Sequence, residues 1–164
     1  MFLSTPHSGF GSVDVLKTLH VPAYNFGSAA LNNLPVLAYT ARFKKPIIIS
    51  TGMANMQDIA EAVQTIRKAG NDKIIVFQCT TDYPVQYREM NLRAIGTIRD
   101  TFGVVVGFSD HTIGNEASVI AVALGASVLE KHLTLDNSMK GPDHKASANP
   151  TDFKRYVQAV RDAE

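Results

Sequence analysis

An α/β fold of parallel strands is what this sequence predicts, and three observations predict it. Six short apolar runs, each ending in small polar residues, recur along the chain, with starts at Phe2, Ala23, Ile47, Ile74, Val104 and Ser127. Those starts are separated by 21, 24, 27, 30 and 23 residues, the period of strand–helix–strand units. Helical periodicity fills the intervals, and the runs are near-continuously apolar, as strands covered on both faces are. Because polar tips follow every run, a (β/α)8 barrel is favoured over a doubly wound open sheet, which gathers its site at one switch point. No GxGxxG or GxxxxGK turn follows a strand, which removes the main reason to prefer a nucleotide fold. A barrel of this type needs eight strands. The expected architecture is therefore a partial (β/α)8 TIM barrel of about six of eight βα units, with the first strands missing.

The elements follow in chain order. "FLSTP" from Phe2 reads as the end of a strand, and "AYNFGS" from Ala23 and "IIISTG" from Ile47 as the next two. Met56, Ile59, Ala60, Val63 and Ile66 then form an i, i+3, i+4 stripe closed by Gly70. "IIVFQCTT" from Ile74 returns to strand. Leu92, Ile95 and Phe102 make a second helical face ended by Gly103. "VVVGFSDHT" and "SVLEKHLT" flank "NEASVIAVALGA", which has Asn115 as N-cap and Gly125 as stop and is small and apolar on nearly every face, so it reads as a buried helix. A last helix from Thr151 carries Phe153, Val157 and Val160 on one side.

Composition narrows the class. The 164 residues, 45% hydrophobic, suffice for one core, and residues 1–164 read as one incomplete barrel domain without an internal linker. Net charge is +1 with basic residues scattered, which gives no footprint for nucleic acid or an anionic membrane. No apolar run approaches the roughly 20 residues that span a bilayer. Cys79 is the single cysteine, so there is neither a disulfide framework nor a cysteine-built zinc site, and a reducing, cytoplasmic setting is expected.

The chemistry sits in two histidines. His111 and His132 lie 21 residues apart, each at the end of an apolar run. Side chains alternate along a strand, so Gly107, Ser109 and His111 share a face, as do Val128, Glu130 and His132 on the neighbouring strand. Two imidazoles at one rim suit a shared divalent ion with open positions for water and substrate. A lone histidine is more often a satisfied core residue; two at equivalent ends of adjacent strands favour a functional pair. The same alternation sends Lys131 toward the helices, away from a Schiff-base role, and makes Asp110 a brace for its loop. Cys79 reads as a small buried hydrophobe.

"GFSDHTIG" from Gly107, "VALGASVLEKHLTLD" from Val122 and "KGPDHKAS" from Lys140, with "KKPIIISTGMA" and "CTTDYPVQYREMNLRAI" upstream, are similar to the sialic acid (N-acetylneuraminate) synthase family, which includes legionaminic and pseudaminic acid synthases. The resemblance spans nearly the whole chain. It implies a barrel that condenses phosphoenolpyruvate with an N-acetylated sugar aldehyde such as N-acetylmannosamine, giving a nine-carbon 2-keto sugar acid and phosphate. It also implies a divalent metal, Mn²⁺ with Mg²⁺ or another ion as alternatives, on His111 and His132. Thr5, Ser28, Ser50 and Ser109 match positions that line the phosphoenolpyruvate site, and Tyr83 and Asp143 match positions facing the sugar. A homodimer and a small C-terminal antifreeze-like domain belong to the family pattern, and the latter is expected to be absent from this chain. Three positions depart from that pattern: Asn25 stands where a phosphate-reaching lysine is usual, Ala30 where an acid is, and Thr81 where an amide is. No catalytic residue is assigned, because the family's catalytic glutamate lies on the missing first strands. The alternatives are a metal-dependent or Schiff-base aldolase on the same barrel, and a non-catalytic degenerate barrel.

Overall fold

The structure is a computed structural model and describes residues 9–164. The predicted first strand at Phe2, and Thr5 with it, lie outside the described residues. The other five predicted strands all form: β1 (Tyr24–Phe26), β2 (Ile47–Ser50), β3 (Ile74–Cys79), β4 (Val105–Asp110) and β5 (Val128–Lys131). They make one sheet in the order β1-β2-β3-β4-β5, parallel throughout. Helices α1 (Phe10–Thr18), α2 (Leu34–Ala41), α3 (Met56–Lys68), α4 (Ala94–Phe102), α5 (Glu116–Ala123) and α6 (Pro150–Ala163) alternate with the strands.

The sheet is curled into a half-barrel. In a flat sheet β1 and β5 would stand about 19 Å apart, four strand spacings of roughly 4.8 Å. Instead the Asn25 amide on β1 donates to Glu130 Oε2 on β5 at 2.7 Å, across the concave side. One parity of residues therefore faces inward: Asn25, Ile48, Ser50, Phe77, Cys79, Gly107, Ser109 and Glu130 follow one another through the strand register. The other parity, Phe26, Ile47, Ile49, Ile74, Val76, Val106 and Phe108, packs outward with α3 Ile59, Val63 and Ile66 and α4 Ile95 and Ile98 into the main core.

Local sequence explains the helix limits. Asn55 caps α3 by accepting from the Gln57 and Asp58 amides, while Asp58 accepts from the Asn55 amide in return. Gly70 and Gly103 follow α3 and α4 with φ of 82° and 59°, a left-handed conformation that costs a glycine little. Two expectations need correction. α5 is not buried all round: Ala117, Ser118 and Ala121 are covered, but Ile120 is 48% exposed, because the sheet and α6 cover one side only. In α6 the buried residue is Tyr156, and the predicted Val157 is 41% exposed. The Tyr156 hydroxyl turns the helix that way by meeting Ser118 Oγ on α5 at 2.7 Å. Among the described residues, no helix is long and apolar enough to cross a membrane.

Gly107 faces inward on β4, where an added Cβ would sit 2.5 Å from the Phe77 ring. Gly107→Ala should destabilise the fold by about 1–3 kcal/mol through overpacking. Gly11→Ala, with nothing within 4 Å in α1, should be neutral or stabilising by up to about 1 kcal/mol. Urea unfolding of the two variants checks the contrast.

Candidate active site

The C-terminal ends of the strands carry the polar residues. His111 follows β4 directly and His132 follows β5 directly, and their rings face each other edge-on with centroids 5.2 Å apart. Tyr83, on the loop after β3, lies over both, 4.1 Å from the His111 ring and 5.3 Å from that of His132.

His111 is 5% exposed and tightly held. Its Nδ1 lies 2.7 Å from the Thr80 carbonyl, which can only accept, so Nδ1 carries the proton and Nε2 keeps its lone pair. Burial pushes the His111 imidazole below its ordinary pKa; the Thr80 carbonyl opposes this and His132 adds to it. The ring is therefore held neutral, the form that binds a metal. Ser109 Oγ stands 3.3 Å from Nε2 and donates to Glu130 Oε1 at 2.7 Å. Outside this core, Asp143 Oδ2 approaches His132 Nδ1 to 3.7 Å, an ion pair only when the imidazole is protonated.

Beneath the histidines lies the bridge between β1 and β5. Glu130 accepts from Asn25 and Ser109, while Asn25 Oδ1, buried, has no hydrogen-bond partner among the described residues. Ser28, in the turn after β1, accepts from the Gly52 amide at 2.9 Å and reaches Cys79 Sγ at 3.7 Å. Ser50 closes β2, buried and on the inward parity. Six of the seven predicted site residues within the described part, His111, His132, Ser28, Ser50, Tyr83 and Ser109, thus lie along one rim, and Asp143 reaches it from the loop after β5. Ala30, at a family acid position, is buried in the apolar core.

Lys131 is on the other side of the sheet, as alternation predicts, paired with Asp110 at 3.1 Å. Asp110 braces its loop by accepting from the Thr112 amide and hydroxyl. His144 is folded into its own loop against Thr134 Oγ1. The sequence gives no sign of the Thr80 carbonyl that sets the His111 tautomer, because a backbone oxygen has no side-chain signature. The Asn25–Glu130 contact joins residues 105 apart, and only the curl of the sheet brings them together.

The donor set fits a divalent ion. Two imidazoles on adjacent strand tips, that of His111 held neutral by burial, leave positions for oxygen ligands. Among the described residues, no third His, Cys, Asp or Glu completes a cluster of three with them.

The fold and rim together define a parallel βα half-barrel with a polar rim at the C-terminal ends of its strands. The chain belongs to the NeuB family, whose model matches residues 1–164. It is 46% identical over 162 residues to the N,N'-diacetyllegionaminic acid synthase of Campylobacter jejuni, covering 98% of this chain and 48% of that protein. The crystal structure of the spore coat polysaccharide biosynthesis protein SpsE of Bacillus subtilis superposes with a TM-score of 0.93 at 38% identity, over 96% of this chain and 45% of that one. A phospho-2-dehydro-3-deoxyheptonate aldolase of Thermotoga maritima, at 17% identity, shares the fold with a TM-score of 0.81 over 96% of this chain and 49% of its own. The chain spans about half the length of the relatives it matches.

Cys79 is 6% exposed, and burial pushes its thiol pKa up against the weaker opposing effect of its hydroxyl neighbours. It should resist iodoacetamide at pH 8 over a period in which the denatured chain is fully alkylated. Mass spectrometry of the labelled peptide checks this.

Proposed function

We propose that this chain carries the rim of an enzyme that condenses phosphoenolpyruvate with an N-acetylated sugar aldehyde, giving a nine-carbon 2-keto sugar acid and phosphate, with a divalent cation on His111 and His132. The observation that carries the proposal is the pair of facing imidazoles under Tyr83, on adjacent strand tips of a NeuB-family half-barrel. A cation bound there, Mn²⁺ by preference, supplies Lewis acidity toward an aldehyde oxygen. The protein supplies the rest. Thr80 keeps His111 in the tautomer whose Nε2 carries the lone pair, beside Ser109 Oγ. Ser28 and Ser50 bring hydroxyls from two strand tips toward an anionic substrate, Ser109 stands at a third with its proton on Glu130, and Thr5 extends that series in the family pattern. Tyr83 walls the rim with its ring, and Asp143 offers a carboxylate to sugar hydroxyls.

The Schiff-base alternative is disfavoured because the Lys131 amine is ion-paired behind the sheet. A metal-dependent aldolase would use the same two histidines and is separated by its product, since it releases no phosphate. One observation favours a non-catalytic barrel: Asn25 offers the interior an amide where the family has a cation, and that amide is already bonded to Glu130.

The test is phosphate release by the intact protein with phosphoenolpyruvate, N-acetylmannosamine and Mn²⁺. His111→Ala and His132→Ala should each weaken Mn²⁺ binding by more than about 100-fold, beyond what loss of a group that only supports a ligand costs, and abolish turnover. His20→Ala, at an exposed residue whose ring lies against the Lys17 carbonyl, should change neither. Turnover that survives loss of both histidines would overturn the metal assignment. Metal binding without phosphate release from phosphoenolpyruvate, whichever N-acetylated hexosamine is supplied, would favour the non-catalytic reading.

A further inference from the structure

A buried ion pair lies on the face of the sheet opposite the site. The Lys131 and Asp110 side chains are 4% and 0% exposed. Both partners are multiply bonded. Asp110 Oδ1 accepts from the Thr112 amide and hydroxyl at 2.8 Å, and Oδ2 accepts from Ser118 Oγ, also at 2.8 Å, besides the lysine. Lys131 donates in addition to the Thr112 carbonyl and lies 5.7 Å from the centre of the Tyr156 ring. Ser118 on α5 and the Tyr156 hydroxyl on α6 close the network.

Such a pair is weak evidence for stability, because the cost of taking two charges out of water offsets their attraction. What it fixes is register. Asp110 and Lys131 are cross-strand partners on β4 and β5, and each immediately precedes one of the two histidines. Thr112, immediately after His111, is held by both members of the pair. His111 is thus gripped on both flanks and tied through the backbone to the residue beside His132.

We infer that the Asp110–Lys131 pair is a positioning device that sets the separation and orientation of the His111 and His132 imidazoles, and through them the affinity for a divalent cation. This rests on the reading of those two histidines as cation holders. Asp110 and Lys131 touch neither cation nor substrate in this scheme; they act through their neighbours in the chain.

The test uses the intact protein and Mn²⁺ alone, with free Mn²⁺ followed by electron paramagnetic resonance. The double variant Asp110→Asn/Lys131→Met removes both charges, leaves neither stranded, and keeps approximate side-chain volume. It should melt within about 5 °C of the parent, since neutral replacement of a buried pair is often tolerated. Its Mn²⁺ affinity should nonetheless fall about 10–100-fold, the range for lost outer-shell support. Ser118→Ala, which deletes one donor to Asp110 without disturbing the charges, should give a smaller loss in the same direction and stands in if the double variant does not fold. A parent that binds Mn²⁺, loses it on His111→Ala, and keeps full affinity in the double variant or in Ser118→Ala would overturn the positioning role while leaving the cation site intact. A parent that binds no Mn²⁺ overturns the cation site itself, and the inference with it.

Discussion

Alternation of side chains along five parallel strands is the constraint on which the rest of this structure depends. Each strand has only two faces, and neighbouring residues must take opposite ones. Because the strands pair in parallel register, one parity becomes an outward layer for the helices, apolar up to the Asp110–Lys131 pair near its C-terminal end save for Gln78, and the other a continuous inward layer. Polarity increases along the inward layer, from Ile48 and Phe77 to Ser50, Ser109 and Glu130. The site is the end of that gradient, where the strands stop and the loops begin.

The curl of the sheet turns this layer into a site. Without it, Asn25 and Glu130 would belong to opposite margins of a flat surface. With it, the Glu130 carboxylate receives donors from β1 and β4 beneath the histidines. Gly107 serves the same end by letting the Phe77 ring approach the β4 backbone.

Much of this was legible in the sequence. The five described strands, the glycine ends of α3 and α4, the inward facing of Ser109 and Glu130 and the outward turn of Lys131 were all legible, since each depends on residues close in the chain. The errors came where a second layer decides. The apolar composition of "NEASVIAVALGA" predicts a helix covered on all sides, yet coverage depends on how many neighbours pack against it. In α6, a hydroxyl-to-hydroxyl contact with Ser118 outweighs the aliphatic stripe and turns Tyr156 inward. The resemblance that marked His111, His132, Tyr83 and the rim serines rests on motif and order; the facing of the rings under Tyr83 and the Thr80 contact that fixes the tautomer are properties of the closed rim alone.

Adjacent residues in β4 and β5 serve layers that never meet. Asp-His and Lys-His each place one member among the helices and the next over the barrel interior. Exchange of a single residue in either dipeptide leaves every other side chain on its own face of the sheet. Gain or loss of one residue within β4 is different in kind: every side chain beyond it would cross the sheet, sending the aspartate into the interior and the imidazole among the helices. These strands can therefore vary by replacement but not by length, and variation in chain length belongs to the loops that join them.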